Sequence, residues 1–203
     1  MNQPDQTGTV ARLFILGGPN GAGKSTLREK IFGTHGIPYV KPAVPKDIKH
    51  RQRARLLQAL ADRCDYAFQS PLDDPVTMLI QQAARAGAEV RMWFVGVTGV
   101  ERCVARVRAR AERGGKGLAD EHTRLAYERC FRNLMQLLPF LTELRVYDNS
   151  ADRQTTADGV PDPVELLHVA GGHLQYIREG DEMPEWAVRI ANAYDGIPGL
   201  RRE

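Results

Sequence analysis

The sequence predicts an α/β fold with a largely parallel sheet, flanked by helices, and with a helical lid. Strand-like and helix-like segments alternate along most of the 203 residues, as they do in parallel sheets with helical crossovers. A glycine-rich segment directly follows the first apolar run, and another separates two long helical patterns, where it would act as a hinge. These observations favour one domain with a mobile helical part.

Hydrophobic periodicity places the elements in order. Short apolar runs predict strands at residues 13–16, 37–40, 66–68, 90–97 and 144–147. Helical patterns predict helices at residues 25–32, 48–61, 75–87, 100–113 and 119–138. Pro75 suits a first helical turn, and Asp74 before it is expected to cap that helix. A hairpin around residues 173–177 and a helix at 184–193 are expected near the C-terminus.

Composition indicates a cytoplasmic protein without a membrane span. Hydrophobic residues make up 42% of the chain, and no apolar run approaches the roughly 18 residues that a span requires. We expect a disordered lead-in at residues 1–10, a catalytic domain at 11–150 with its lid at about 100–138, and a C-terminal extension at 151–203 packed on the same domain. Three widely spaced cysteines predict reduced thiols rather than a metal site.

The segment that carries chemistry lies between the first strand and the first helix. Its residues fit the pattern G-x-x-x-x-G-K-S/T and are Gly18, Pro19, Asn20, Gly21, Ala22, Gly23, Lys24 and Ser25. Glycines let backbone amides point at an anion, and the helix N-terminus adds its positive end. We expect Lys24 to neutralise the β- and γ-phosphates, Ser25 to bind Mg²⁺, and Thr26 to support the nearest phosphate. The segment predicts a P-loop NTPase fold that binds ATP or GTP with magnesium.

Further motifs decide among P-loop proteins. The chain has neither the LSGGQ-like signature and Asp-Glu strand end of transporter ATPases nor the N/T-K-x-D element of guanine specificity. Arg106 and Arg110 lie four residues apart before the glycine-rich segment 114–117, which predicts a lid that closes over the transferring phosphate. A solvated helix face is the alternative for this cluster. The arginines at 51, 53 and 55 lack interleaved aromatic residues, so a nucleic-acid partner is not expected.

Residues 12–150 resemble the zeta-toxin family of P-loop kinases. Besides the phosphate loop, residues 68–75 (FQSPLDDP) are similar to the family's F-E-T-x-L-S-D-P, and residues 106–115 to its R-V-x-x-R-V-x-x-G-G lid. Characterised members phosphorylate a sugar hydroxyl of UDP-N-acetylglucosamine. The resemblance therefore implies ATP and Mg²⁺ as cofactors, Gln69 and Ser70 as acceptor contacts, a UDP-sugar or similar small-molecule acceptor, and an antitoxin as a candidate partner.

Departures from the family pattern cluster on the acceptor side. The family has an acidic base after its second strand, where this chain reads Tyr-Val-Lys-Pro-Ala at residues 39–43. Asp47 is the candidate replacement, and a helix cap is its alternative role. Gln69 replaces a family Glu, Lys116 a His, and Ala126 an Arg. Two interpretations remain open: a kinase with a different acceptor, or a nucleotide-binding pseudokinase.

Overall fold

The computed structural model describes residues 10–37, 48–151, 163–178 and 183–195, and for residues 48–53 and 195 it describes the backbone alone. The strands in these ranges are β1 (Arg12–Gly17), β2 (Tyr66–Ser70), β3 (Glu89–Gly96), β4 (Glu143–Asp148), β5 (Val164–Ala170) and β6 (His173–Ile177). The helices are α1 (Lys24–Thr34), α2 (Ile48–Ala61), α3 (Asp74–Arg85), α4 (Val100–Glu112), α5 (Asp120–Leu137) and α6 (Glu185–Asp195), with a 3₁₀ turn at Leu138–Phe140.

The strands form one mixed sheet in the order β2-β1-β3-β4-β5-β6. The first four strands in this order are parallel, and β5 and β6 continue the sheet antiparallel to them. The register aligns Gly17 with Ser70 of β2 and Phe94 of β3, and Gly96 with Asp148 of β4. The carboxyl ends of the four parallel strands therefore meet at one edge, which is where α/β sheets bind ligands.

Both faces of the sheet are covered by helices because alternate strand residues point to opposite sides. One face packs Ile15 and Phe94 against residues of α2, α3, α5 and α6. The other packs Leu16 and Val95 against residues of α1 and α4. The predicted α/β fold with a largely parallel sheet is confirmed. None of the helices that the structure describes is long and apolar enough to cross a membrane.

Most predicted elements are confirmed, with bounds shifted by a few residues. The strand expected at 37–40 lies outside the described residues apart from Ile37, which is in neither a helix nor a strand. The predicted cap of α3 was wrong by one residue: Asp73 accepts a hydrogen bond from the Val76 amide at 3.3 Å, and Asp74 is already helical. The expected C-terminal hairpin is formed by β5 and β6, and it extends the main sheet.

Asn133 joins α5 to the turn between β2 and α3. It is 2% exposed, and its Nδ2 donates to the Leu72 carbonyl at 2.8 Å and to the Asp74 carboxylate at 2.7 Å. Leu72 itself adopts a left-handed backbone, with φ of 54°. The buried side-chain amide of Asn133 therefore provides a hydrogen-bond donor for the Leu72 carbonyl, which lies in a turn outside the strands and helices.

We expect Asn133→Ala to destabilise the fold by about 1–3 kcal/mol, because a buried carbonyl would lose its donor. Urea unfolding monitored by circular dichroism measures the change through the transition midpoint at constant slope. Asn192→Ala on the exposed surface of α6 is the matched control and should shift the midpoint little. Equal midpoints for the two variants would contradict this role of Asn133.

Candidate nucleotide-binding site

The phosphate loop connects the carboxyl end of β1 to the start of α1. The Ala22 amide donates to the Pro19 carbonyl at 3.1 Å, and the Thr26 and Leu27 amides donate to the Gly23 carbonyl at 3.0 Å each. Gly23 is the N-cap of α1 and has no side-chain oxygen with which to cap the first amides. Those amides are therefore suited to an anion, which the positive end of the helix also favours.

Two glycines of the loop leave room for neighbouring segments. Gly21 and Gly23 have φ angles of 87° and 92°, which residues with a side chain rarely adopt. A Cβ atom on Gly21 would lie 2.5 Å from the Cys103 carbonyl oxygen of α4, and one on Gly23 would lie 2.4 Å from Asn149 Nδ2. The glycine pattern thus serves both the backbone turn and the contacts that enclose it.

Asn149, directly after β4, holds the loop in place. Its side chain is buried, at 7% exposure, and Nδ2 donates to the Ala22 carbonyl at 2.8 Å. Its backbone amide donates to the Gly96 carbonyl at 3.0 Å, so the residue ties together β3, β4 and the loop. Asn149 received no role in the sequence analysis. The useful signal was a small amide residue directly after the last parallel strand.

Lys24 lies within the loop with its charge partly removed from water. Nζ donates to the carbonyls of Gly18 at 2.5 Å and Pro19 at 2.9 Å. The pKa of Lys24 is lowered to about 8, mainly by burial, and the charge of Arg110 contributes in the same direction. Among the residues that the structure describes, no carboxylate forms an ion pair with this part-buried ammonium, and a phosphate would supply the compensating negative charge. Such a perturbed group at a ligand-binding edge is typical of functional sites.

Ser25, Thr26 and Gln69 border the loop, whereas Ser70 is turned into the fold. Ser25 and Thr26 are exposed at the start of α1, and Gln69 Nε2 donates to the Ser25 hydroxyl oxygen at 3.2 Å. Ser70 is 1% exposed, and its hydroxyl oxygen accepts from the Leu72 amide at 2.9 Å. The structure thus brings Gln69 to the loop and engages the Ser70 hydroxyl in the turn that leads to α3.

The site provides one of the oxygen ligands that a magnesium ion would need. The Ser25 hydroxyl is an exposed oxygen at the start of α1, which is the ligand that the loop motif requires. Within the described ranges no group of three or more His, Cys, Asp and Glu side chains could hold a metal ion. Asp148 ends β4, two strands away from β1, and accepts from the Ser150 hydroxyl at 2.5 Å. Burial raises the pKa of Asp148.

The two lid arginines lie in different surroundings. Arg106 donates from Nη1 to the Asn149 carbonyl at 2.9 Å and from Nη2 to the Ala151 carbonyl at 3.1 Å, so its guanidinium is held against the segment after β4. Arg110 is exposed, and its charge acts on Lys24. The structure therefore associates Arg110 with the loop lysine and Arg106 with the end of β4. Asp47, the candidate base, lies outside the described residues.

Helices α4 and α5 carry two buried cysteines near the phosphate loop, to which the sequence analysis assigned no role in the site. Cys103 and Cys130 are buried, and burial raises their pKa to about 11 and about 12. The Cys103 carbonyl oxygen faces Gly21 of the loop so closely that a Cβ atom there would lie 2.5 Å from it. In contrast, residues 110–117 at the tip of the helical pair are all exposed. The pair thus encloses the loop at its base and projects its tip into solvent.

No protein-family model matches the chain, and no curated protein matches it by sequence. Among solved structures, it is similar to the AvrRxo1-ORF1:AvrRxo1-ORF2 complex with sulphate ions, at a TM-score of 0.54 and 17% identity, covering 92% of this chain and 64% of that chain. The native crystal of that complex gives 0.52 and 16%, covering 94% and 77%. At these identities the likeness shows the fold alone, so the zeta-toxin resemblance stays a prediction.

Two weaker matches have TM-scores of 0.41. Deoxyadenosine kinase from M. mycoides with bound dATP is 16% identical and covers 68% of this chain and 90% of that chain. A protein of the PezAT chromosomal toxin-antitoxin system of Streptococcus pneumoniae is 12% identical, with coverage of 92% and 84%. Neither match bears on the assignment of function.

Thiol labelling should report on how tightly α4 and α5 enclose the loop. We expect iodoacetamide to modify the exposed Cys64 first, and Cys103 and Cys130 only as fast as the helices open, because both are buried and protonated at neutral pH. Pulse labelling with mass spectrometry measures each rate, and the protein in urea, where all three should react, is the control. Rapid native labelling of Cys130 would contradict the enclosed loop.

Proposed function

We propose that this protein is an ATP- and magnesium-dependent kinase that transfers the γ-phosphate to a hydroxyl of a nucleotide sugar or similar metabolite. The observation that carries the proposal is the environment of Lys24, whose buried ammonium binds two backbone carbonyls beside the N-terminus of α1. Phosphates are the ligands that such a loop accommodates best, because both amides and lysine favour them. The relatives share the fold and leave the acceptor open.

In this proposal each group has a separate task. The backbone amides of Gly21, Gly23, Lys24 and Ser25 and the Lys24 ammonium hold the phosphates, and the Ser25 hydroxyl would hold Mg²⁺, which would neutralise phosphate charge. Arg110 approaches the γ-phosphate from the lid. The acceptor hydroxyl attacks the γ-phosphorus, the bond to the β–γ bridging oxygen breaks, and ADP leaves with the electron pair. Asp47 is the proposed base for the hydroxyl proton.

A nucleotide-binding pseudokinase is the second candidate. The observation in its favour is the amide of Gln69 beside Ser25, at a place where kinases of this fold benefit from a carboxylate.

A protein partner is proposed for both the kinase and the pseudokinase. Its support is that the structurally similar AvrRxo1 proteins were crystallised as an ORF1:ORF2 complex.

We expect Lys24→Ala to weaken ATP binding at least about tenfold, because the loop would lose a charge that is directed at the β- and γ-phosphates. Isothermal titration calorimetry in excess Mg²⁺ measures the dissociation constant. Lys30→Ala, which removes an exposed lysine from the same helix, is the matched control and should bind ATP nearly as the unaltered protein does. If Lys24→Ala kept its affinity, the loop would not be the nucleotide site.

Incubation with γ-labelled ATP, Mg²⁺ and a metabolite pool that includes UDP-sugars tests for transfer. We expect a phosphorylated metabolite, with turnover reduced roughly 10²- to 10⁴-fold in Asp47→Asn because general-base assistance would be lost. Arg110→Ala should also lower turnover, whereas the control Arg189→Ala, at an exposed site on α6, should not. ATP binding without any acceptor across the pool would favour the pseudokinase, and full activity of Asp47→Asn would exclude Asp47 as the base.

A further inference from the structure

Gln69 lies at the end of the strand next to the phosphate loop. In the parallel ladder it pairs with Leu16 of β1, and the next residue, Ser70, pairs with Gly17, where the loop begins. From there its side chain reaches α1: Nε2 donates to the Ser25 oxygen at 3.2 Å, and Oε1 lies 3.5 Å from the same oxygen. Gln69 therefore contacts the residue that the loop motif assigns to magnesium.

P-loop proteins commonly hold magnesium with the loop Ser or Thr and an acidic side chain from a strand. Here the side chain beside Ser25 has an amide in place of the carboxylate. An amide oxygen can accept a hydrogen bond from a metal-bound water, and its NH₂ group can donate to a phosphate oxygen. It contributes no negative charge, however, and hard cations such as Mg²⁺ bind best to charged oxygen ligands.

The acidic residues that follow β2 cannot readily replace the missing charge. Asp73 caps α3 through the Val76 amide. Asp74 accepts from Asn133 at 2.7 Å and has guanidinium nitrogens of Arg129 and Arg132 at 3.9 and 3.8 Å. Both carboxylates therefore serve the start of α3 and its contact with α5. The described part of the metal site offers neutral oxygen donors next to a buried lysine.

We infer that Gln69 is a residue of the metal side of this site rather than an acceptor contact, and that the protein binds its divalent cation only together with nucleotide phosphates. This inference rests on the proposed function, since it takes Mg²⁺ and ATP as the ligands. Gln69 then orients the Ser25 hydroxyl and the water shell of the cation, and the phosphates provide the negative charge that holds it.

Binding of Mn²⁺, whose free form is counted by electron paramagnetic resonance, tests the inference without an activity assay. We expect the unaltered protein to bind Mn²⁺ tightly with ATP and weakly without it. Gln69→Glu should bind Mn²⁺ without nucleotide at least about tenfold more tightly, because a carboxylate would face Ser25. Gln82→Glu is the matched control, since it makes the same chemical change on the exposed surface of α3.

A second variant makes the test independent of the introduced charge. Gln69→Ala should reduce the factor by which Mn²⁺ tightens ATP binding, while ATP binding in the presence of EDTA should stay nearly unchanged. If Gln69→Glu and Gln82→Glu bound Mn²⁺ equally, with ATP binding intact, the inference would be overturned and the proposed function would stand. If the unaltered protein bound no ATP with any metal, both would be overturned.

Discussion

The close approach of other segments to the phosphate loop is the constraint on which this site depends. Asn149 can donate to the Ala22 carbonyl because Gly23 leaves space for its amide, and α4 can reach the loop because Gly21 has no side chain. The glycines of the loop thus allow Asn149 and α4 to contact it. Through Asn149 the end of β4 contacts the loop, and through the Cys103 backbone the base of α4 does too.

The same enclosure limits how the proposed helical lid could move. The base of α5 is fixed by the buried Cys130 and by the hydrogen bonds of Asn133, so rotation of the whole helical pair would disrupt the core. Residues 110–117 are all exposed, and the Gly114 and Gly115 amides donate to the Ala111 and Arg110 carbonyls within the tip itself. Arg106 and Arg110 are four residues apart on one helix, yet they fall on either side of this boundary. Closure by the tip alone would move Arg110 and leave Arg106 bonded to the segment after β4.

Local patterns were predictable, and contacts between distant segments were not. The apolar runs of β1 and β3 and the loop between β1 and α1 follow from short stretches of sequence, so their positions could be predicted closely. Asp73 and Asp74 both precede Pro75, and the geometry of the first turn alone decides that Asp73 is the cap. The bond from Asn149 to Ala22 spans 127 residues, and no local pattern reveals such a partner.

The charge balance of the site bears on what it can accept. Lys24, the exposed Arg110 and the N-terminus of α1 are positive, while Ser25 and Gln69 beside them are neutral. An acidic residue at position 69 would repel any anionic acceptor that comes near the phosphates, and the amide does not. Specificity depends on such repulsion as much as on attraction. In the proposed kinase, the amide would therefore admit an acceptor with a negative charge of its own more easily than a carboxylate at the same position would.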